Sequence, residues 1–101
     1  MKTNVIEIVQ FRLAPNVSEP EFLGAAETAS QFLKSCDGFV RRHLSKGEDG
    51  VWLDHVEWRD LSAAKAASEA FSKQASLTPF MQAIDMASAA MSHNELKIVT
   101  D

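Results

Sequence analysis

The sequence predicts an α+β fold of order βαββαβ with a four-stranded antiparallel sheet, and three observations predict it. Val5 to Leu13 is a β-branched and aromatic run, after which Asn16 and Ser18 open an amphipathic stretch ending at Gly38. Phe39 to Lys46 and Val51 to Arg59 are two further strand-like runs, joined by Gly47-Glu48-Asp49-Gly50. An alanine-rich helix follows, and Leu96-Lys97-Ile98-Val99 is expected as the closing strand. A sheet of this order carries both helices on one face and leaves the other bare. A partner is therefore implied before any chemistry is considered.

The first helix is the best-signalled element. Ser18 with Glu21 three residues on forms a capping box, in which hydroxyl and carboxylate satisfy backbone N–H groups left over by the first turn. Pro20 falls within that turn, where its missing donor costs no intrahelical bond. Phe22, Ala25, Ala26, Ala29, Phe32, Leu33 and Cys36 recur three or four apart and make one apolar stripe. Gly38 supplies the left-handed conformation that helix C-termini favour. The second helix starts at the N-cap Asp60 and runs from Leu61 to about Lys73, with small residues on its stripe that let it sit close to the sheet. Thr78-Pro79 marks a new start, and a short helix is expected over Phe80 to Met86.

Composition excludes several function classes. At 101 residues the chain is read as one domain, 1–101, with room for a single core, and burial against a second copy would help it. The net charge is −4 with interspersed signs, and no clustered basic face is offered to nucleic acid. Arg41 and Arg42 are adjacent, but strand alternation sends them to opposite faces. Cys36 is the single cysteine, so it makes no internal disulfide, and its place on the apolar stripe points to a buried, inert thiol. With no signal segment and no apolar run long enough for a bilayer, a cytoplasmic protein without a membrane partner is expected.

The strands that follow β-type patterning are not polar on one side and apolar on the other. In the third, Val51, Leu53, His55, Glu57 and Arg59 share one face, and Trp52, Asp54, Val56 and Trp58 the other. In the first, Glu7 sits among Val5, Val9, Phe11 and Leu13, while Ile6 and Ile8 share a face with Gln10 and Arg12. A half-exposed antiparallel strand would collect its polar residues on one side. Both strands are thus expected to be covered twice, by helices and by a symmetric copy, and a homodimer is expected.

These segments resemble the antibiotic-biosynthesis-monooxygenase-like members of the dimeric α/β-barrel superfamily over nearly the whole chain. The local matches are the Gly38-Phe39 turn, the strand Gly50-Val51-Trp52-Leu53-Asp54, and Trp58-Arg59-Asp60-Leu61 running into alanines. The resemblance implies a ferredoxin-like fold, two sheets packed face to face into a barrel, and a small-molecule site between sheet and helices of each protomer. Heme-degrading relatives carry an asparagine late in the first strand, then a tryptophan and an iron-ligating histidine on the second helical segment. Here those places hold Val9 or Gln10, Ala67 or Ser68, and Ile84 or Asp85, and no histidine lies between His55 and His93. The heme ligand is missing, and no cofactor is expected.

Three histidines remain as candidate bases. His55 is the first choice, mid-strand with Glu57 two residues away to hold its tautomer; its bland alternative is an interface imidazole. His43 is expected at the sheet edge, and His93, with Asn94, at the start of or at a break in the last strand, facing a turn or a pocket. No two histidines share a spacing that converges on a metal ion. Glu7 is the second choice of base, and Trp52, Trp58 and Asp54 complete the expected pocket with His93. Tryptophan stacks on a flat ring and still offers an indole N–H, although core or interface packing is the simpler account of both. Glu7 and Asp54 on apolar faces need partners, water or a shifted pKa, and a paired carboxylate at the dimer seam is expected for at least one. Two functions follow: a monooxygenase acting on a small cyclic or aromatic metabolite without flavin or metal, or a non-catalytic dimeric binding or stress-associated module.

Overall fold

The computed structural model describes residues 3–101. The elements are β1 (Val5–Leu13), α1 (Glu19–Ser35), β2 (Phe39–Lys46), β3 (Trp52–Trp58), α2 (Leu61–Ser72), a 3-10 turn at Ala75–Leu77, α3 (Thr78–Gln82) and β4 (Ile84–Glu95). They form one ferredoxin-like sheet in the order β2-β3-β1-β4, antiparallel throughout. Ser18 and Glu21 make the reciprocal capping box that starts α1, and Asp60 caps α2 by accepting from the Ala63 N–H at 2.8 Å. At Gly38 the backbone has φ +86°, and a Cβ there would lie 2.6 Å from that of Ala63, so the α1–β2 turn and α2 approach more closely than any side chain allows.

The C-terminal third departs from the sequence expectation. The closing strand is Ile84–Glu95, and Leu96 to Val99 lie beyond it. The expected helix over Phe80–Met86 is instead α3 at Thr78–Gln82, with Ile84 to Met86 already extended. The cause is tertiary. Ala14 N–H donates to Ala83 O at 2.8 Å, and Leu13 pairs with Ile84, so the chain leaves α3 directly onto the free edge of β1. Pairing along that edge outweighs the weak β-propensity of an alanine-, serine- and methionine-rich segment. The register shifts between Gln10 and Arg12, where Arg12 N–H donates to Ser88 Oγ at 2.9 Å and Ser88 donates to Asp85 O at 2.6 Å. This bulge displaces Met86 to Ala89 from the ladder.

The helices cover one face of the sheet. Along β3, buried Trp52, Asp54, Val56 and Trp58 alternate with half-buried Leu53, His55 and Glu57 on the open face. Phe22 of α1 anchors the core, with ring centroids 4.9 Å from Trp52, 5.5 Å from Phe80 and 5.7 Å from Phe11. A second cluster packs Leu33, Val56 and Trp58 against Ala63, Ala64 and Ala67 of α2.

Candidate functional site

Between the two clusters the core does not close. A cavity of about 400 Å³ lies between sheet and helices, walled by Val9, Val56, Trp58, Phe71, Phe80 and Ile84 among others. Phe11 and Phe22 fill one end of this layer, but Phe71 stands as a wall and leaves the space open. The small residues Ala67 and Ser68 on the α2 stripe make the room, and the β4 bulge brings exposed Met86 to the rim beside exposed Met91.

Four ionisable side chains meet on the helix-facing side in two pairs, and Glu7, Arg42 and Asp54 of these line the cavity. Glu7, 8% exposed, sits opposite His93 in the β1–β4 ladder, and its Oε2 lies 2.8 Å from His93 Nε2. Ser68 of α2 donates to the same Oε2 at 3.4 Å. Arg42 of β2 grips Asp54 of β3 through Nε and Nη2 at 2.9 and 2.7 Å, a bidentate pair. Its Nη1 donates to Ala26 O and Ser30 Oγ of α1, each at 2.9 Å. Glu7, Arg42, Asp54 and Ser68 all line the cavity. Neither carboxylate therefore serves a seam on the open face; each is paired within the chain.

The expected residues divide between the two faces. Glu7, Asp54 and Trp58 line the cavity, and His93 touches it through Glu7. Trp52 belongs to the Phe11–Phe22 core, with the Lys46 ammonium 5.9 Å from its ring centroid. His55 and Glu57 lie on the open face, so the structure does not bring them together with the tryptophans. Nor does Glu57 orient His55: it accepts from Asn4 Nδ2 at 2.8 Å and pairs with Arg41 at 3.4 Å. Instead His55 stacks on His43, centroids 6.1 Å apart, and its buried Nδ1 has no partner among the described residues. His93 lies inside β4, not at its start or at a break.

Sequence reasoning did not assign Arg42 and Ser68 to the site. Alternation already turned Arg42 away from Arg41, and counting back from the Lys46–Trp52 end of the hairpin places it diagonal to Asp54. Ser68 carried no comparable signal. Among the described residues no group of three or more His, Cys, Asp or Glu is placed to hold a metal ion, and no helix is long and apolar enough to cross a membrane.

Solved structures share this architecture. SnoaB from Streptomyces nogalater, a cofactor-independent oxygenase, superposes with a TM-score of 0.67 at 20% identity, covering 98% of this chain and 96% of its own. A candidate antibiotic biosynthesis monooxygenase from Bordetella bronchiseptica gives 0.80 at 14% identity, covering 97% and 100%. In fold the chain is antibiotic-biosynthesis-monooxygenase-like. Another candidate antibiotic biosynthesis monooxygenase, from Caulobacter crescentus CB15, gives 0.74 at 14% identity over 96% and 92% of the two chains. No family model matches the chain, and no curated protein matches it in sequence.

Proposed function

We propose that this protein is a cofactor-independent monooxygenase that oxidises a small, flat ring compound in the cavity, with Glu7 as base and His93 as its positioning partner. The observation that carries the reading is Glu7, held by His93 from behind, on the wall of a cavity lined mostly by aromatic and aliphatic groups apart from the mutually neutralised Arg42–Asp54 pair and two serines. A volume of about 400 Å³ is in the range of small-molecule sites, roughly 300–1,000 Å³. Both members of the pair sit on strands, which fixes the distance from base to ring. The name of SnoaB supports the reaction class.

The chemistry balances without a bound redox group. Glu7 takes a proton from an activated ring C–H, and the carbanion passes its electron pair to dioxygen in two one-electron steps. A C–O bond forms, and Glu7 returns its proton to the peroxide. Loss of the second C–H proton to Glu7 then breaks the O–O bond, leaving a ketone and hydroxide, which regains that proton as water. Dioxygen is the oxidant; one of its atoms enters the product and the other leaves in water.

Anthrone is a suitable probe substrate, followed by an oxygen electrode and by anthraquinone absorbance. Turnover above the spontaneous rate is expected, falling about 10²–10⁴-fold in Glu7→Gln. Uptake no faster than the buffer blank, with the probe still bound, returns the protein to the second reading, a non-catalytic binding module. The pairing of inward charges with one another favours that alternative.

The same reading includes a homodimer in which a second copy covers the open face, where Ile6, Ile8 and Leu53 flank His55. An interface of roughly 1,200–2,000 Å² or more is expected, and a monomeric mass by light scattering at micromolar concentration removes it. A cytoplasmic setting belongs to this reading as well, supported by the unpaired Cys36.

A further inference from the structure

The cavity has a mouth, and one lip of it is loosely built. Of the lining residues, those exposed to solvent are Ser72 at the end of α2 and Met86, Ala90 and Met91 of β4. The opening therefore lies between that helix end and the edge strand. The wall behind it is fixed. Glu7, Val9, Asp54 and Val56 stand on β1 and β3, which pair without a break from Val5–Trp58 to Phe11–Trp52. Ala67 of α2 and Phe80 of α3 are buried.

The β4 lip differs. Its register to β1 runs from Gln10–Ala90 directly to Arg12–Asp85, so residues 86–89 pass opposite Phe11 alone. A bulge of this length takes its residues out of the ladder. One side chain spans the gap that results. Ser88 Oγ accepts from the Arg12 N–H at 2.9 Å and donates to Asp85 O at 2.6 Å. The hydroxyl stands in for the strand carbonyl that would otherwise receive Arg12, and it ties the middle of the bulge to β1. A further bond, from the Ala87 N–H to Asp85 Oδ1 at 3.2 Å, lies within β4 and does not reach β1. Met86 and Met91 flank the bulge, 59% and 57% exposed, with unbranched side chains that adapt to what passes between them.

We infer that residues 86–89 are the gate of the cavity and that Ser88 is its latch. When Ser88 releases Arg12, the bulge moves off the edge of β1 and the mouth between Ser72 and Met86 widens. When the bond re-forms, a molecule inside is held there. A segment with few ladder bonds and exposed side chains opens at a fraction of the free energy of global unfolding. Such a gate sets the rates of entry and exit and leaves the preference of the site unchanged. The inference rests on the cavity being a ligand site, as proposed above, and concerns how that site is reached.

Stopped-flow mixing of the full chain with N-phenyl-1-naphthylamine, an uncharged probe that brightens in apolar surroundings, reads the gate. Ser88→Ala should speed association and dissociation alike by about three- to tenfold, the worth of one or two hydrogen bonds. Kd should hardly move, because both directions cross the same gate. Ser88→Thr keeps the hydroxyl and should return the parent rates. Amide hydrogen exchange locates the effect: in Ser88→Ala, Arg12 and residues 86–89 should exchange faster while the β1–β3 ladder keeps its protection. Faster exchange across the whole sheet would make Ser88 a plain stability residue and overturn the inference. Unchanged probe rates overturn it too, as does failure of the probe to bind. Anthrone turnover with ungated probe kinetics removes this inference alone, and gated kinetics without anthrone turnover remove the oxygenase reading alone.

Discussion

The two faces of the sheet each carry charged and imidazole groups, but they treat them in opposite ways. On the helix-facing side Glu7 meets His93 and Asp54 meets Arg42, so the inward charges are matched within the chain. On the open side Glu57 is matched by Arg41, while His43 and His55 stack on each other and the buried His55 Nδ1 has no partner among the described residues. The difference follows from what covers each face. A face covered by its own helices must settle its charges locally, because a buried charge without a partner is severely destabilising. In the proposed homodimer, a second copy would cover the imidazoles of the open face.

The sharpest way to break this comparison is to unbalance the covered side. Asp54→Ala strands the Arg42 guanidinium beneath α1 and should cost about 3–5 kcal/mol, read as a lower urea midpoint with unchanged slope. A loss below 1 kcal/mol would show that water reaches Arg42 beneath the helices. On the open side, His55→Ala should leave anthrone turnover as it is. It should raise the dimer dissociation constant by about tenfold, roughly 1.4 kcal/mol, by analytical ultracentrifugation. Lost turnover in a variant that still dimerises would reverse the roles of the two faces.

Smaller effects belong to neither face and calibrate the others. Ser18→Ala removes the acceptor for the Glu21 N–H, 3.2 Å away, and should lower stability by about 0.5–2 kcal/mol, seen as a fall in Tm. The smallest effect is at Asp37, where the hydrogen bond and charge of Arg59 hold the carboxyl below its ordinary value. A depressed carboxylate stabilises the fold above the unfolded-state value, and the gain is lost as pH falls through the folded-state value. Both groups are exposed, so salt screens the effect. Asp37→Asn should flatten the urea midpoint slightly in the pH range just below the ordinary aspartate value. An unchanged acid profile would mean that the pair is not formed in solution.

How much of this was legible depended on whether a signal was local. Val5–Leu13 and Phe39–Lys46 were readable because β-branched and aromatic residues are bounded by turn formers, and α1 because its capping box lies in four consecutive residues. Ile84–Glu95 was not, since its alanines, serines and methionines favour no strand and only the vacant edge of β1 makes them one. That one displacement hid the Glu7–His93 pair as well. His55 looked like the best base because Glu57 is close in sequence, but same-face neighbours on a strand need not touch, and Arg41 and Asn4 claim Glu57 across the sheet. Glu7 and Trp58 were found because a polar atom among apolar ones announces itself without knowledge of its partner.

The separation of Glu7 from His93, 86 residues along the chain, gives the site a temporal order. Ribosomal synthesis delivers β1 first and β4 last, so the carboxylate emerges long before the imidazole that completes it. While β4 is still inside the exit tunnel, the edge of β1 is bare and Glu7 faces water without its ring partner. The β1–β3 and β2–β3 ladders can form in the meantime, because they close over shorter stretches of chain. Docking of β4 then adds the outer wall, the methionine rim and the second half of the dyad together. In the proposed site, a nascent chain would lack the Glu7–His93 contact until β4 has docked.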